Sequence, residues 1–121
     1  MARSRILNQV NDESNGVAVA DVPYRHRFEV YVEDELAGVA EYVDHDEQRI
    51  FYHTEIDERY SGQGLGNTLI RSALTDTRSS GRRIVPVCPF VARYLKKNDD
   101  FADIVDPVTP KAVDFVRSTL G

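Results

Sequence analysis

At 121 residues, 41% hydrophobic and 29% charged, the chain can bury one real core and is too short for two ordinary domains. A formal charge of −5 argues against nucleic acid as the main partner, because binding a phosphate backbone needs a positive surface. A single cysteine, Cys88, excludes an internal disulfide and a cysteine-rich metal site, and no run of about 18 apolar residues is present to form a membrane-spanning helix. His26, His45 and His53 lack metal-ligand spacing, so no metal is expected. The start of the chain lacks a signal-peptide pattern, so a cytoplasmic location is expected.

Residues 1–16 are polar and mixed, and read as a flexible tail in which Ile6, Leu7 and Val10 suggest a fragment of helix. Residues 17–106 are expected to form the domain, and residues 107–121 a C-terminal helix packed on it or on a partner subunit. From Arg27 the pattern alternates, with Phe28, Val30 and Val32 opposite Arg27, Glu29, Tyr31 and Glu33, as in a half-buried antiparallel strand. Asp34 and Glu35 make a tight connection to a returning strand over 36–43, where Gly38 marks a bulge or a close backbone approach. A charged hairpin loop over 44–48 leads to a third strand over 49–56.

That third strand opens the segment around which the chain is organised. Phe51 to Leu74 reads as a strand, a short polar turn, glycines at 62, 64 and 66, and an amphipathic helix over about 64–79. A strand that passes through a glycine-rich turn into a helix N-terminus can present backbone N–H groups to a phosphate. The spacing fits neither a dinucleotide fingerprint nor a Walker A loop. Spacing alone therefore leaves an anion site and a plain turn equally open. In the helix, Leu65, Leu69, Ala73 and Thr77 recur every fourth residue beside Ile70 and Leu74, a core-facing stripe, and Gly81 stops it.

Residues 83–87 predict a strand buried on both faces and parallel to the 49–56 strand, since a crossover helix joins them. Pro86 cannot donate to a ladder and predicts that the two strands part there. Pro89 opens a short helix to about Lys97, which puts Cys88 at its N-cap, where free N–H groups and the helix dipole favour a reactive thiolate. A small buried cysteine is the alternative. Residues 101–105 look like one more short strand. Thr109 and Pro110 start a last helix whose apolar face is expected to carry Ala112, Val113, Val116 and Leu120.

Two motifs, His53-Thr54-Glu55 and Cys88-Pro89-Phe90, stand at the ends of the two parallel strands, the second followed by Val91, Ala92, Arg93 and Tyr94. With this order of elements, residues 28–105 resemble the GNAT superfamily of acetyl-CoA-dependent N-acetyltransferases. The chain is similar to a compact single-domain group within it. The resemblance implies an α+β fold, a mostly antiparallel twisted sheet with a central splayed pair of parallel strands and flanking helices.

It also implies a site. Ser61, Gly62, Gln63, Gly64, Leu65, Gly66 and Asn67 would form the loop that binds the pyrophosphate of coenzyme A through backbone amides. Ser61 stands where the superfamily usually has Arg or Gln, which removes a long side chain and leaves the amides. The strand through His53 and Ile56 would pair with the pantetheine arm. Tyr94 is similar in position to a tyrosine that protonates the leaving thiolate, Cys88 would face the acetyl group, and Lys96 and Lys97 are candidates for meeting cofactor phosphates.

Acetyl transfer needs an uncharged amine, donors for an oxyanion and a proton for the thiolate. His53 and Glu55, two residues apart on a strand, share a face opposite Thr54 and are candidates to take the amine's proton. Each also has a plain structural reading, as a hydrogen bond between strands or as packing. The function expected is acetyl transfer from acetyl-CoA to a small-molecule or protein amine by a monomer or weak homodimer, without nucleic acid or membrane. The alternative is a non-catalytic CoA-binding or protein-interaction module.

Overall fold

The computed structural model describes residues 5–10 and 16–121. Strands β1 (Arg5–Val10), β2 (Val17–Val22), β3 (Arg27–Val32), β4 (Glu35–His45), β5 (Gln48–Ile56) and β6 (Arg83–Pro86) form one six-stranded sheet in that order. Helix α1 (Leu65–Ser79) connects β5 to β6, α2 (Pro89–Lys97) follows β6, and α3 (Pro110–Leu120) ends the chain. All neighbouring strands are antiparallel except β5 and β6, which are parallel as the crossover requires. The α+β architecture implied by the resemblance is present.

Three expectations about elements change. Ile6, Leu7 and Val10 lie in strand β1, paired with β2, and do not form a helix. The remaining residues of the expected tail, 1–4 and 11–15, lie outside the described residues. Strand β2, VAVADV, has no counterpart in the sequence reading. Val17, Val19, Ala20 and Val22 are all buried, so it shows the continuous apolar run of a covered strand and little of the alternation that marks a half-exposed one.

The third change concerns residues 101–105, which form no strand. Asp99–Ile104 is a 3-10 helix in which Phe101 is buried and Asp103 is held by Arg78, with an Nη2 to Oδ1 distance of 2.7 Å. Only Val105 bridges to Ile84 of β6. Among the described residues no further strand is added beyond β6, so the parallel pair stands at the end of the sheet and not at its centre.

The hairpins are tighter than the charge pattern suggests. Glu33 and Asp34, both at positive φ, turn β3 into β4, and Asp46 at φ 54° turns β4 into β5. Gly38 sits at an irregularity between β3 and β4, and a Cβ there would stand 2.8 Å from the Glu55 carbonyl oxygen. Both readings offered for that glycine, a bulge and a close approach, therefore hold.

Helix α1 lays Leu65, Leu69, Ile70, Ala73, Leu74 and Thr77 on one face of the sheet, over Phe28, Tyr42 and Phe51. Burying each of these large side chains is worth about 1.5–3 kcal/mol, which makes this layer the main source of stability. On the opposite face α3 covers only the β5–β6 end, with Ala112 and Val116 against Val43, Ile50 and Val85. Leu120, expected on that apolar face, is 58% exposed, while Phe115 stacks on His45 with ring centroids 4.2 Å apart. The final helix therefore packs on its own sheet. Beyond that end, polar side chains of β3, β4 and β5 on the same face line an open groove.

Candidate active site

The β5–β6 ladder runs from the Gln48–Arg83 pair to the Phe51–Pro86 pair and stops there. Past it, the Cys88 N–H donates to the Phe51 carbonyl at 2.8 Å, and the chain turns into α2. Strand β5 continues to Ile56, still paired with β4, so its other edge opens a wedge between the strand and α2. Pro86 sits where the strands part, as its missing donor predicts.

At the far end of β5 the chain passes through a short 3-10 turn, Glu58–Tyr60, into the glycine loop. Gly64, at φ 74°, is the N-cap of α1, and no side chain caps that helix. The first N–H groups of α1 are thus left without intrahelical or side-chain partners. They border a cavity of about 270 Å³ lined by Ile56, Ser61, Gly62, Gly64, Leu65, Gly66 and Asn67, with Tyr60 and Phe90 completing the wall. Gln63 is exposed and outside this lining. A Cβ at Gly62 or Gly64 would meet no protein atom, whereas one at Gly66 would run into the Phe90 ring. Two glycines shape the loop, and the third lets α1 pack against α2.

Strand β5 separates its candidate side chains into two sets. Between Phe51, opposite Tyr42, and His53, opposite Glu41, the register slips by one residue, and the extra residue is Tyr52. Beyond the slip, Thr54 faces the helical side, where its Oγ1 accepts a hydrogen bond from the Cys88 thiol at 3.3 Å. Cys88 is 3% exposed. His53 and Glu55 face the other way and touch each other, with Nε2 to Oε1 at 3.1 Å. The sheet thus lies between Cys88 and the His53–Glu55 pair.

That pair lines an open groove of about 630 Å³ together with Arg27, Glu41, Asp57 and Glu58. Strand register sets Arg27 opposite Glu41 and Glu41 opposite His53, one polar row across three strands. Arg27 is anchored from behind by the buried carboxylate of Glu29, at 2.7 Å from Nε. Burial alone would push the Glu29 carboxyl upward, but hydrogen bonds from Tyr31 and Arg27 hold it below 4.5, so it stays charged at neutral pH.

Tyr94 lies elsewhere. It is 8% exposed and lines a second cavity of about 220 Å³ with Asn67, Phe90, Arg93, Lys97 and Asn98. Burial, opposed by Arg71 and reinforced by Asp100, raises its phenol above the ordinary value and keeps it protonated at neutral pH.

The model of the GCN5-related N-acetyl-transferase family matches residues 27–104, more than half of the chain. The chain belongs to that family. Its domain is thereby of the acetyltransferase type, and the parted strands, the uncapped α1 and the glycine loop fall within the matched segment. Comparison with curated proteins returned no match.

Sequence reasoning located the glycine loop, the parting strands and the opposed faces of His53–Glu55 and Thr54. It missed Thr54 as the partner of Cys88, Phe90 as the wall shared by two cavities, and Arg27 and Glu41 in the groove. The first two depend on how α2 folds back onto β5. Arg27 and Glu41 carried a signal, their position on the polar side of alternating strands, but register across strands brings them to His53.

Proposed function

We propose that the protein transfers an acetyl group from acetyl-CoA to an amine. The observation that carries this reading is the continuity of β5. Its unpaired edge leads from the wedge at Phe51 straight to the cavity under the uncapped α1. An extended ligand with a polar, amide-bearing arm and a diphosphate matches both ends. Strand peptide groups suit the amides, and helix N–H groups suit the anion.

The residues present fit coenzyme A. Gly62 and Gly64 leave the loop cavity free of side chains, and Leu65, Gly66 and Asn67 offer N–H groups to the diphosphate. Acetyl-CoA, when bound, supplies a thioester with a carbonyl carbon open to attack by an uncharged amine. The acetyl end would pass the free edge of β5 where the parallel strands part, beyond the buried Cys88–Thr54 pair, to reach the face that carries His53 and Glu55. In the groove, the carboxylates of Glu41 and Glu55 attract a protonated amine, and His53 with Glu55 accepts the proton that the amine must lose. Transfer is direct, without an acetylated enzyme. Tyr94, a protonated phenol in the same core layer as Cys88, would return a proton to the departing thiolate.

Incubation with labelled acetyl-CoA and a broad amine panel, alongside thermal melting, tests this. Expected are acetylated amine and a raised melting temperature; ligand at about 100 times its Kd adds about 2.7 kcal/mol of stability. Binding without turnover across the panel would favour the non-catalytic module. Absence of both binding and turnover would overturn the assignment.

A further inference from the structure

The groove beside His53 and Glu55 is acidic except at one end. Glu41, Glu55, Asp57 and Glu58 line it, and Asp57 is taken up by Arg59, with Oδ2 to Nη2 at 3.2 Å. Arg27 is the one arginine or lysine in the lining. Its guanidinium is fixed in place: Nε donates to Glu29 at 2.7 Å, and the Glu29 side chain is only 2% exposed. Tyr31 donates to the same carboxylate, and Arg25 approaches it at 3.4 Å. Two arginines thus share one carboxylate, which leaves that end of the groove with an excess of positive charge.

Glu29 is held through Nε alone. The Arg27 side chain forms no other hydrogen bond or ion pair among the described residues, so its two terminal nitrogens keep their donors free. Arg49 and Arg78, by contrast, each spend a terminal nitrogen on the aspartate they pair with. A guanidinium that is locked in orientation and still offers the open end of its fork matches a carboxylate.

Strand register gives the distance from this donor to the proton-accepting pair. Glu29 on β3 stands opposite Val39 on β4, and Val39 stands opposite Glu55 on β5. Glu29 draws the Arg27 side chain along β3 toward this row, so its guanidinium and Glu55 flank Val39, roughly two strand spacings or about 10 Å apart. Hydrogen bonds of about 3 Å at each end leave about 4 Å between the anion and the amine of a ligand that meets both. Val39, half-buried in the floor, suits the methylenes between them.

We propose that the acceptor is an amino acid in which a short aliphatic stem separates the amine from the carboxylate: Arg27 binds the carboxylate through its terminal nitrogens, and the amine lies at Glu55 and His53. The inference rests on the acetyl-CoA reading above and names its acceptor class. In the transfer the amine nitrogen bonds to the acetyl carbon as the C–S bond breaks, the amine proton passes to the His53–Glu55 pair, and the leaving thiolate takes up a proton. The acceptor carboxylate stays on Arg27 throughout. Acidic side chains alone would suit any cation, a diamine included, whereas the fixed and open guanidinium favours a zwitterion.

Nuclear magnetic resonance titrations of the cofactor-free protein, followed at the Glu41 and Glu55 amides, test this with glycine, β-alanine, γ-aminobutyrate, the amide of each, and putrescine. β-Alanine and γ-aminobutyrate are expected to bind about tenfold or more tightly than their amides, the scale of a hydrogen bond to a charged group, and the same ratio should appear in kcat/KM with acetyl-CoA. In Arg27→Gln, with folding checked by circular dichroism, the ratio should fall to about one. If that variant fails to fold, Arg27→Lys takes its place and should lower the ratio about threefold or more, because an ammonium has no fork. A wild-type ratio near one, a ratio unchanged in the variant that folds, tighter binding of putrescine, or a binding preference absent from turnover would overturn the proposal. Acetylation of other amines in any of these cases would spare the acetyl-CoA reading, whereas failure to bind coenzyme A would remove both.

Discussion

At the scale of the residue, the division of β5 into two faces determines which side chains can act together. His53 and Glu55 are exposed, touch each other and open on the groove, whereas Cys88 is buried on the opposite side with its thiol donating to Thr54. A sulfur this buried and held against Thr54 has no open approach to a thioester, which favours direct attack by the amine over an acetyl-cysteine route. Cys88→Ala is accordingly expected to keep turnover within about tenfold, and intact-mass measurement after acetyl-CoA alone should show no acetyl adduct on the wild type. Glu55→Gln combined with His53→Ala should lower kcat by about 10²-fold or more, the scale of general base catalysis, with coenzyme A affinity unchanged. An adduct that disappears in Cys88→Ala would reverse the assignment. The pairing of Cys88 with Thr54 could not be read from a chain in which they stand 34 positions apart, although alternation along β5 already put Thr54 opposite its neighbours.

At the scale of the element, Gly66 links the anion site to the packing of two helices. A methyl group there would strike the Phe90 ring, and overpacking of this kind costs about 1–3 kcal/mol. Gly66→Ala should therefore lower the melting temperature by several degrees, and pairing it with Phe90→Leu should return part of the loss in a double-mutant cycle. Gly64→Val acts differently. It meets open space but forces a β-branched residue to φ 74°, so it should weaken coenzyme A binding while circular dichroism still reports the fold. The elements themselves were legible wherever local signals agreed. For α1 the four-residue period and the terminal glycine mark the helix, and for α2 and α3 a proline at the first position does so. They were misleading for residues 101–105, whose apolar ends look like a strand. The carbonyl of Asp100 and the carboxylate of Asp103 both bond to Arg78 on α1, which holds the segment in a 3-10 turn.

At the scale of the whole molecule, stability couples to pH through the polar face of the sheet. Burial, and then its bond to Glu29, pushes the Tyr31 phenol up to about 12, while the Glu29 carboxyl is held below 4.5. The folded state binds the Tyr31 proton more tightly than the unfolded chain, so this contribution is complete below about pH 10 and is lost as pH rises toward 12. Glu29 contributes above 4.5, and its share is lost as pH falls below that value. Melting temperatures measured from pH 3 to about 12 should decline at both ends, with a shallower alkaline decline in Tyr31→Phe; an unchanged alkaline slope would show that Tyr31 does not set it. By itself the sequence determined the local features: the glycine turn, the amphipathic helices, the alternation of β3 and β5, and the break at Pro86. Each is encoded by residues close together in the chain, through backbone preference and hydrophobic period. Only the tertiary structure decided that β1 and β2 extend the sheet, that the parallel pair lies at its end, and that Tyr94 belongs with Arg93 and Lys97 while Cys88 belongs with Thr54. Those outcomes depend on strand register and on which helix covers which face, and they are set by burying apolar surface across the whole chain at once.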